Sequence, residues 1–550
     1  MLSSQTDQPQ NLYQLIFETK NPDQGFSDDV PLLIDAENTE RYYTFNELRT
    51  KVRAFAHALL GPSLGVQQGD VVAICSRNDI EYYPAFHGIM AAGCVACPLR
   101  SFLSADDISR IFQISDPKLV IAHMDTVQLM WDAMKLYGKQ LPMLVMATKQ
   151  APSGTQLFTD FLQPIDEEQQ LPHVSPDAPA HLLCTSGTTG AYKLVNGTHA
   201  VEMRRVKFIA EEADREMLGS SCALTVLTCG NFASAHNLVH SLQPWLYSRY
   251  RQYVTDSMDE NVILRYLREF KCASPNVLPC HVLTRLVYLI QSIQQAGDET
   301  LDLSSLKMLC GAGQPLDPKV IERAAGIVPN TDVLVCFGST ECGYKFVRAI
   351  NGAYQTYKGK YARENDERFE FKLVDENGKA VPRGSQGEML FKSPMIFKSY
   401  YNNPEKTAES FDEEGFFRTG DIFVMEEDER IRWLGRASER IKTYNKPVVP
   451  KPIEDLCMAF GGIRECAAVG AFSKKRVYEL PRVYIVPEPG NNDQDPEKLA
   501  EAVAQFVNER VPEKDSELTG GVKVISALPR TAVGKVNRFV LRQWAQDEVE

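Results

Sequence analysis

The sequence has few features of a nucleic-acid-binding or secreted protein. Its formal charge is −13, and no long run of Lys and Arg is present, whereas binding to a phosphate backbone needs a net or local basic surface. The 13 cysteines show no paired spacing of the kind found in a short secreted chain, so a disulfide framework is not expected. Residues 1–7 contain neither the basic nor the apolar part of a signal peptide. We expect a small-molecule enzyme in a reducing, cytoplasmic setting.

Long apolar segments without interruption are also rare. Residues 82–99 carry no formal charge, but two prolines and Gly93 interrupt them. A buried helix that ends at Gly93, followed by a short buried strand, fits this pattern better than a membrane span. Residues 547–550 carry no peroxisomal address and no lipidation cysteine. We expect no membrane anchor.

The pattern along the chain indicates a mixed α/β protein of several subdomains. Short apolar runs at residues 71–75, 119–122 and 141–146 alternate with longer helical patterns, which is typical of buried, largely parallel strands. From about residue 369 to 435, short alternating strands separated by turns predict a small β-rich subdomain. After Gly435 the mixed pattern returns. We predict an N-terminal domain of residues 1–437 and a C-terminal domain of residues 438–550.

A Gly- and Thr-rich segment at residues 185–193 follows an apolar strand and ends in Lys193. Glycine lets backbone N–H groups approach phosphate oxygens, hydroxyls add donors, and the lysine neutralises phosphate charge. It is not a Walker loop, and by composition alone an ordinary surface turn is the competing interpretation. The predicted phosphate contacts are Thr185, Ser186, Gly187, Thr188, Thr189, Gly190 and Lys193.

Three further motifs follow in order. Residues 336–341 place Thr340 and Glu341 where an apolar strand ends, and a carboxylate beside a hydroxyl suits a hard cation. A Thr-Gly-Asp turn ends at Asp421, and Arg436 follows the strand-like residues 431–434. Lys535 then lies in a Leu-Pro-containing turn near the C-terminus. Each motif alone is a common turn, but the four together favour nucleotide chemistry.

In this order, the motifs resemble those of the adenylate-forming superfamily, which includes acyl-CoA synthetases, 4-coumarate-CoA ligases, luciferases and peptide-synthetase adenylation domains. The resemblance covers nearly the whole chain. It implies a large N-terminal domain of two α/β subdomains and a small β-barrel, followed by a smaller, mobile α+β domain. It also implies ATP-dependent activation of a carboxylic acid, with ATP and Mg²⁺ as cofactors and CoA as the acceptor.

The resemblance also implies roles for individual residues. Lys535 stabilises charge at the α-phosphate, near which Thr340 lies, and Lys193 belongs to the loop over the β- and γ-phosphates. Glu341 holds magnesium, and Ser438 is at the hinge position. The remaining nucleotide contacts are expected at Gly313, Gln314, Phe337, Gly338, Ser339, Asp421, Arg436 and Lys442. The acyl pocket is expected at Asn231, His236 and Gly311, with Asn231 either contacting substrate or serving a structural role.

Four positions depart from the family pattern. Tyr192 replaces a proline and Leu194 a glycine in the phosphate loop, Ser438 replaces Asp or Lys at the hinge, and Asn445 replaces a glycine of the pantetheine tunnel. Asparagine tolerates a positive φ, so we expect the bend at Asn445 to survive with a narrower tunnel.

Three functions stay open: an AMP-forming CoA ligase, an enzyme that loads a separate carrier protein or an amine, and a non-catalytic nucleotide-binding descendant. Retention of Lys535 opposes the last, because a binding module would not need it. We expect an aryl or medium acyl acid as substrate, and a monomer or homodimer.

Overall fold

The computed structural model describes the following residues of the 550-residue chain: 8–19, 25–166, 168–186, 192–213, 223–297, 301–313, 318–336, 338–344, 347–350, 353–356, 370–427, 431–488, 495–531 and 535–548. The chain divides into two compact units. The first comprises Met1–Tyr357 and Ser393–Phe411, and the second comprises Lys358–Lys392 and Asp412–Glu550. The predicted domain boundary between residues 437 and 438 falls inside the second unit and stays a prediction.

The strands, in chain order, are β1 (Pro31–Asp35), β2 (Tyr42–Thr44), β3 (Val71–Cys75), β4 (Val95–Leu99), β5 (Leu119–His123), β6 (Met143–Met146), β7 (Gln156–Leu157), β8 (Pro179–Ser186), β9 (Tyr192–Thr198), β10 (Thr225–Thr228), β11 (Arg251–Val254), β12 (Ser274–Pro275), β13 (Leu278–Pro279), β14 (Met308–Ala312), β15 (Asp332–Cys336), β16 (Gly338–Ser339), β17 (Gly343–Tyr344), β18 (Val347–Ile350), β19 (Ala353–Thr356), β20 (Glu370–Val374), β21 (Gln386–Lys392), β22 (Ser399–Tyr400), β23 (Phe417–Met425), β24 (Ile431–Arg436), β25 (Ile441–Lys442), β26 (Pro447–Val448), β27 (Ile463–Ser473), β28 (Tyr478–Pro487) and β29 (Val522–Val524).

The α-helices, in the same order, are α1 (Phe45–Leu60), α2 (Tyr82–Ala91), α3 (Ala105–Ser115), α4 (Val127–Tyr137), α5 (His199–Lys207), α6 (Ala235–Asn237), α7 (Gln243–Tyr247), α8 (Glu260–Glu269), α9 (Cys280–Gln295), α10 (Pro318–Ile327), α11 (Pro404–Glu409), α12 (Pro450–Phe460), α13 (Pro496–Asn508) and α14 (Arg538–Glu548). Among the described residues, no helix combines the length and apolar character needed to cross a bilayer.

The largest sheet described in the first unit has eight strands in the order β22-β9-β8-β4-β3-β5-β6-β7. Strands β3 to β7 pair in parallel, whereas β8 and β9 form an antiparallel hairpin. All five residues of β3 are buried, as expected for a parallel strand covered on both faces. The predicted strands at 71–75, 119–122 and 141–146 are confirmed. Helix α2 followed by β4 confirms the prediction for residues 82–99, and Gly93 beyond the helix has φ +73°.

A second sheet of the first unit contains β12-β10-β11-β1-β2, and a third contains the parallel strands β13-β14-β15. Their shared core includes Leu227 of β10, Leu283 of α9 and Leu309 of β14, all fully buried. The carboxyl ends of β10, β14 and β15 lead into the predicted acyl-pocket and nucleotide segments. Such strand ends are the usual ligand-binding edge of open α/β sheets.

The second unit contains an antiparallel sheet of β20-β21-β23-β24 in the region predicted to be β-rich. Closure of this sheet into a barrel stays a prediction. The predicted 369–435 region is not continuous in space, because Ser393–Phe411 returns to the first unit and its strand β22 pairs with β9. Toward the C-terminus, β27-β28-β29 form a sheet, with α12 and α14 packed against β27. The mixed α/β class is therefore confirmed.

Candidate active site

The segment predicted to bind phosphate begins and ends within strands. Thr185 and Ser186 end β8, and Tyr192 and Lys193 begin β9, with Thr185 opposite Lys193 in the hairpin. Gly187, Thr188, Thr189 and Gly190 lie outside the described residues. The prediction of a loop over all of 185–193 was therefore wrong at both ends, because the ladder continues to Ser186 and resumes at Tyr192. The hydroxyl of Thr185 is buried and has no hydrogen-bond partner among the described residues.

Lys193 and Glu341 are brought together by a residue that the motifs did not single out. The Lys193 Nζ donates to the hydroxyl of Tyr400 at 2.9 Å, and the same hydroxyl donates to Glu341 Oε1 at 2.8 Å. The lysine nitrogen also lies 4.2 Å from the centre of the Tyr400 ring, within the range of a cation–π contact. The hydroxyl of Tyr400 is therefore hydrogen-bonded to both the Lys193 ammonium and the Glu341 carboxylate.

The turn that carries Thr340 and Glu341 is a small hairpin between β16 and β17. Ser339 and Cys342 close it, since Cys342 N donates to Ser339 Oγ at 3.3 Å and Ser339 N donates to Cys342 Sγ at 3.4 Å. Gly343 has φ +69°, where other residues are strained. Gly338 and Ser339 thus support the Glu341 turn, while Phe337 and Gln314 lie outside the part of the chain that the structure describes.

A buried ion pair between Arg205 and Glu202 also supports the turn that carries Glu341. Arg205 donates to Glu202 Oε1 at 2.8 Å, to the main-chain oxygen of Met395 at 3.0 Å and to that of Glu341 at 3.3 Å. Burial acts to raise the pKa of Glu202, but Arg205 and His181 outweigh it and lower this pKa to about 2. Glu202 is therefore a buried carboxylate that holds the guanidinium in place.

The predicted acyl-pocket residues lie at strand ends. Asn231 follows β10 and its Oδ1 accepts from the N–H of Ala233 at 2.9 Å, while its main-chain oxygen accepts from Asn237 Nδ2 at 3.0 Å. Gly311 lies in β14, where an added Cβ would come within 2.9 Å of Leu283 in α9. Packing against that helix therefore explains a glycine there.

Two further predicted residues lie near these strand ends. Gly313 follows β14 with φ +89°, which favours glycine. His236 lies in α6, and its side chain is outside the described residues.

The second unit holds two of the predicted nucleotide contacts, Asp421 and Arg436, on neighbouring strands. Asp421 of β23 is directly opposite Arg436 of β24, and its Oδ1 lies 3.1 Å from Arg436 Nε. Trp433 Nε1 donates to the same oxygen at 2.9 Å. Asp421 is 2% exposed, and burial raises its pKa to about 6 although Arg436, Trp433 and Lys535 act in the opposite direction. A buried carboxylate with a fixed arginine is suited to accept hydrogen bonds from a diol.

The described residues on the two sides of the C-terminal motif pair with each other in the same unit. Arg530 bridges Val536, and the N–H of Thr531 donates to the oxygen of Lys535 at 2.8 Å. Lys535 is exposed, and its charge is among those that act on Asp421.

The other predicted residues of this unit lie in the segment after β24. Ser438 is exposed in a 3₁₀ turn, and the N–H of Lys442 donates to Glu479 at 2.7 Å. The non-glycine residues with positive φ do not include Asn445 in the described chain. The prediction of a left-handed bend at Asn445 was therefore wrong, and its Nδ2 instead donates to Asp515 at 3.1 Å.

Sequence reasoning missed Tyr400, Arg205 and Trp433. Tyr400 lies outside the predicted motifs, and Arg205 is one of two adjacent arginines on a helix. Glu202 precedes Arg205 by three residues on the same helix, and opposite charges at that spacing were a usable signal for Arg205. Nothing local in the sequence marks Tyr400, whose partners are 59 and 207 residues away.

Comparisons with known proteins agree with these features. The sequence model of the AMP-binding enzymes matches residues 22–401, and that of the AMP-binding enzyme C-terminal domain matches residues 452–535. The chain is 25% identical over 556 residues to 4-coumarate–CoA ligase 1 of Petroselinum crispum, covering 96% of each chain. It is 26% identical over 528 residues to phenylacetyl-CoA ligase epaB of Aspergillus niger, covering 93% of each.

A solved structure of an anthranilate CoA ligase in complex with anthranoyl-AMP has the same fold. Its TM-score is 0.80 at 21% identity, with 98% of both chains covered.

Proposed function

The chain belongs to the family of AMP-binding enzymes, and on that premise we propose that it is an AMP-forming acid–thiol ligase. It converts a carboxylic acid and ATP into an acyl-adenylate and pyrophosphate, and then transfers the acyl group to CoA with release of AMP. The observation that carries this proposal is the pairing of Lys193 and Glu341 through Tyr400. That pairing supports the proposal, because a cation suited to phosphate lies beside a carboxylate suited to a metal.

In the first step, a carboxylate oxygen attacks the α-phosphorus of ATP and the bond to pyrophosphate breaks. Lys193 binds the departing phosphates, and Lys535 stabilises the charge gathered at the α-phosphorus. A preorganised donor of this kind contributes about 3 kcal/mol to lowering the barrier. Asp421 and Arg436 orient the ribose. The reaction needs positioning and charge compensation more than an acid–base pair.

Magnesium is the proposed metal. Glu341 is half-buried, and one of its carboxylate oxygens already accepts a neutral hydrogen bond. The oxygen donors of Glu341 and Thr340 fit a hard cation that keeps most of its waters. When bound, magnesium supplies charge neutralisation at the phosphates.

In the second step, the CoA thiol attacks the acyl carbonyl carbon and AMP leaves. Rotation of the C-terminal domain about Ser438 is the proposed means of exchanging Lys535 for the thioester-forming face, a form of gating by domain motion. The acid is proposed to be aryl or medium acyl, because the 4-coumarate and phenylacetyl-CoA ligases are relatives over nearly the full chain. A cytoplasmic location and a monomeric or homodimeric state are also proposed.

A carrier protein or an amine is the second candidate acceptor. Asn445 favours such an acceptor. It occupies the position of a glycine of the pantetheine tunnel in the family, and its side chain is hydrogen-bonded to Asp515. A non-catalytic nucleotide-binding protein is the third candidate, and Lys535 argues against it, since binding alone does not require that residue.

Acid-dependent ATP–pyrophosphate exchange across a panel of aryl and medium acyl acids tests the proposal. We expect exchange with at least one acid, followed by thioester formation when CoA is added. ATP binding without exchange for any acid identifies the non-catalytic alternative. Exchange without a thioester favours the carrier or amine acceptor, which is then tested by adding a phosphopantetheinylated carrier protein or a primary amine.

A further inference from the structure

Tyr400 lies between the two charged residues proposed to meet ATP and magnesium. Its hydroxyl accepts from Lys193 at 2.9 Å and donates to Glu341 at 2.8 Å. A phenol has one proton to donate and lone pairs to accept, so both bonds form at once with the hydroxyl neutral. The three groups come from segments that are far apart in sequence, on β9, on the 340–342 turn and on β22.

The position of Tyr400 is fixed by its own strand and not by the two charges. The residue is 4% exposed, and it pairs with Val195 in the ladder between β22 and β9. Its N–H donates to Thr407 Oγ1 at 3.0 Å, and its ring packs against Phe397 at 4.8 Å between centroids. The hydroxyl is therefore held independently of Lys193 and Glu341.

The same segment also holds the Glu341 turn. Phe397 N donates to the main-chain oxygen of Glu341 at 2.7 Å, three residues before Tyr400. The segment thus contacts Glu341 through both its main chain and its side chain. Tyr400 and Glu341 are consequently fixed relative to each other.

Among the described residues, neither Lys193 nor Glu341 forms an ion pair within 4.0 Å, and each is instead bonded to the phenol. A direct ion pair between them would have to be broken before a phosphate or a cation is bound. A hydrogen bond to a neutral hydroxyl occupies one donor of Lys193 and one acceptor site of Glu341 and leaves their charges uncompensated. The phenol therefore keeps both side chains in place without neutralising either.

We propose that Tyr400 is a positioning residue. It keeps Lys193 and Glu341 separate and oriented, Lys193 for the phosphates of ATP and Glu341 for its magnesium. This proposal rests on the proposed function, because it assigns Tyr400 to the same ATP·Mg site. An ammonium has three donors and a carboxylate has two acceptor oxygens, so Lys193 and Glu341 keep their hydrogen bonds to the phenol while Lys193 contacts the phosphates and Glu341 the cation. Tyr400 contacts neither reacting atom.

The test compares Tyr400→Phe, which removes only the hydroxyl, with Tyr401→Phe, which removes a hydroxyl from the next residue of the same segment. Hydrogen bonds to charged groups are worth enough for about a 10- to 100-fold effect. We expect Tyr400→Phe to raise both the KM for ATP and the magnesium concentration for half-maximal exchange by about that factor. The kcat at saturating ATP and magnesium is expected to change by less than about threefold, and Tyr401→Phe to match the wild type.

A purely structural role for the hydroxyl predicts a lower Tm and an equal loss at all magnesium concentrations, and this result overturns the proposal. A fall in kcat with unchanged KM also overturns it. A double-mutant cycle with Glu341→Gln supplies a second criterion. The two substitutions are expected to be non-additive in magnesium dependence, whereas additive effects contradict the assignment.

Calorimetric titration of wild type and Tyr400→Phe with ATP·Mg, without any acid, separates this proposal from the proposed function. Weaker binding to the variant supports the role of Tyr400 even where no acid gives exchange. Equal binding to both proteins, or no ATP·Mg binding to the wild type, overturns it. Exchange in the wild type together with unaltered ATP and magnesium dependence in Tyr400→Phe refutes the positioning role alone.

Discussion

Replacing Arg205 by methionine tests how the site is supported from within the core. Arg205 is 3% exposed and Glu202 is fully buried, with 2.8 Å between Nη1 and Oε1. Methionine keeps most of the volume and removes the charge, so Glu202 is left as a buried carboxylate without its guanidinium. Breaking a buried pair in this way typically destabilises a protein by about 3–5 kcal/mol.

The pKa of Glu202 supports the same magnitude. It is lowered from 4.5 to about 2, which corresponds to about 3 kcal/mol of stability at neutral pH. This stability is present above pH 4.5 and is lost as the pH falls toward the folded-state pKa. Without Arg205, burial raises the pKa of Glu202 and His181, 3.4 Å away, is left to oppose it, so this pKa is higher than in the wild type. The variant then binds a proton at higher pH than the wild type, so its deficit relative to the wild type shrinks on acidification.

Urea unfolding at pH 7 and pH 5 measures both effects. Trp245, 3% exposed on α7, reports on the first unit, because α7 packs against α5, which carries Glu202 and Arg205. The exposed neighbour Arg204 provides a matched control, and Arg204→Met is expected to change stability by less than about 0.5 kcal/mol.

The double variant Glu202→Gln/Arg205→Met is expected to recover most of the loss and to be insensitive to pH in this range. A deficit below about 1 kcal/mol for Arg205→Met, or one of equal size at both pH values, contradicts the reasoning, since a buried unpaired carboxylate costs more than that.

Three further outcomes follow from the site. Burial raises the pKa of Asp421 to about 6, so protonation below that pH removes acceptors for the ribose. The KM for ATP, measured by steady-state exchange, should therefore rise about tenfold from pH 7 to 5. Asp421→Asn should lack this pH dependence. Lys535→Ala should slow adenylate formation about 100-fold in rapid-quench measurements, and a full rate would remove Lys535 from the mechanism. The hydroxyl of Tyr192 hydrogen-bonds to Asp107. Tyr192→Phe should therefore raise the KM for ATP by about threefold to tenfold. An unchanged KM would show that Tyr192 does not support the predicted phosphate contacts of residues 185–193.

Local sequence patterns were sufficient for the strands and for the order of the motifs. Strand β3 has an unbroken apolar sequence because both of its faces are covered, and α2 ends where Gly93 takes a positive φ. These features depend on neighbours in the chain, which a sequence pattern records directly. The Asp421–Arg436 pair could also be predicted from the sequence, because the two residues face each other on adjacent antiparallel strands that follow each other in the chain.

The contacts that complete the site depend on distant segments. Tyr400 contacts Lys193 only because β22 pairs with β9 at the edge of the sheet, and no local sequence pattern predicts that strand pairing. The same addition returns Ser393–Phe411 to the first unit and interrupts the predicted β-rich region. Asn445 tolerates a positive φ but does not adopt one, and its hydrogen bond to Asp515 accompanies another conformation.

The central claim is that a carboxylate oxygen attacks the α-phosphorus of ATP. Incubation with an accepted acid labelled with heavy oxygen in both carboxylate positions, together with ATP and CoA, tests this claim by mass spectrometry of the nucleotide products. The predicted result is AMP that carries one heavy oxygen in its phosphate, because the bridging oxygen leaves with AMP when the thiol attacks the acyl carbon. Unlabelled AMP, or heavy oxygen in inorganic phosphate with ADP as the nucleotide product, would contradict the claim.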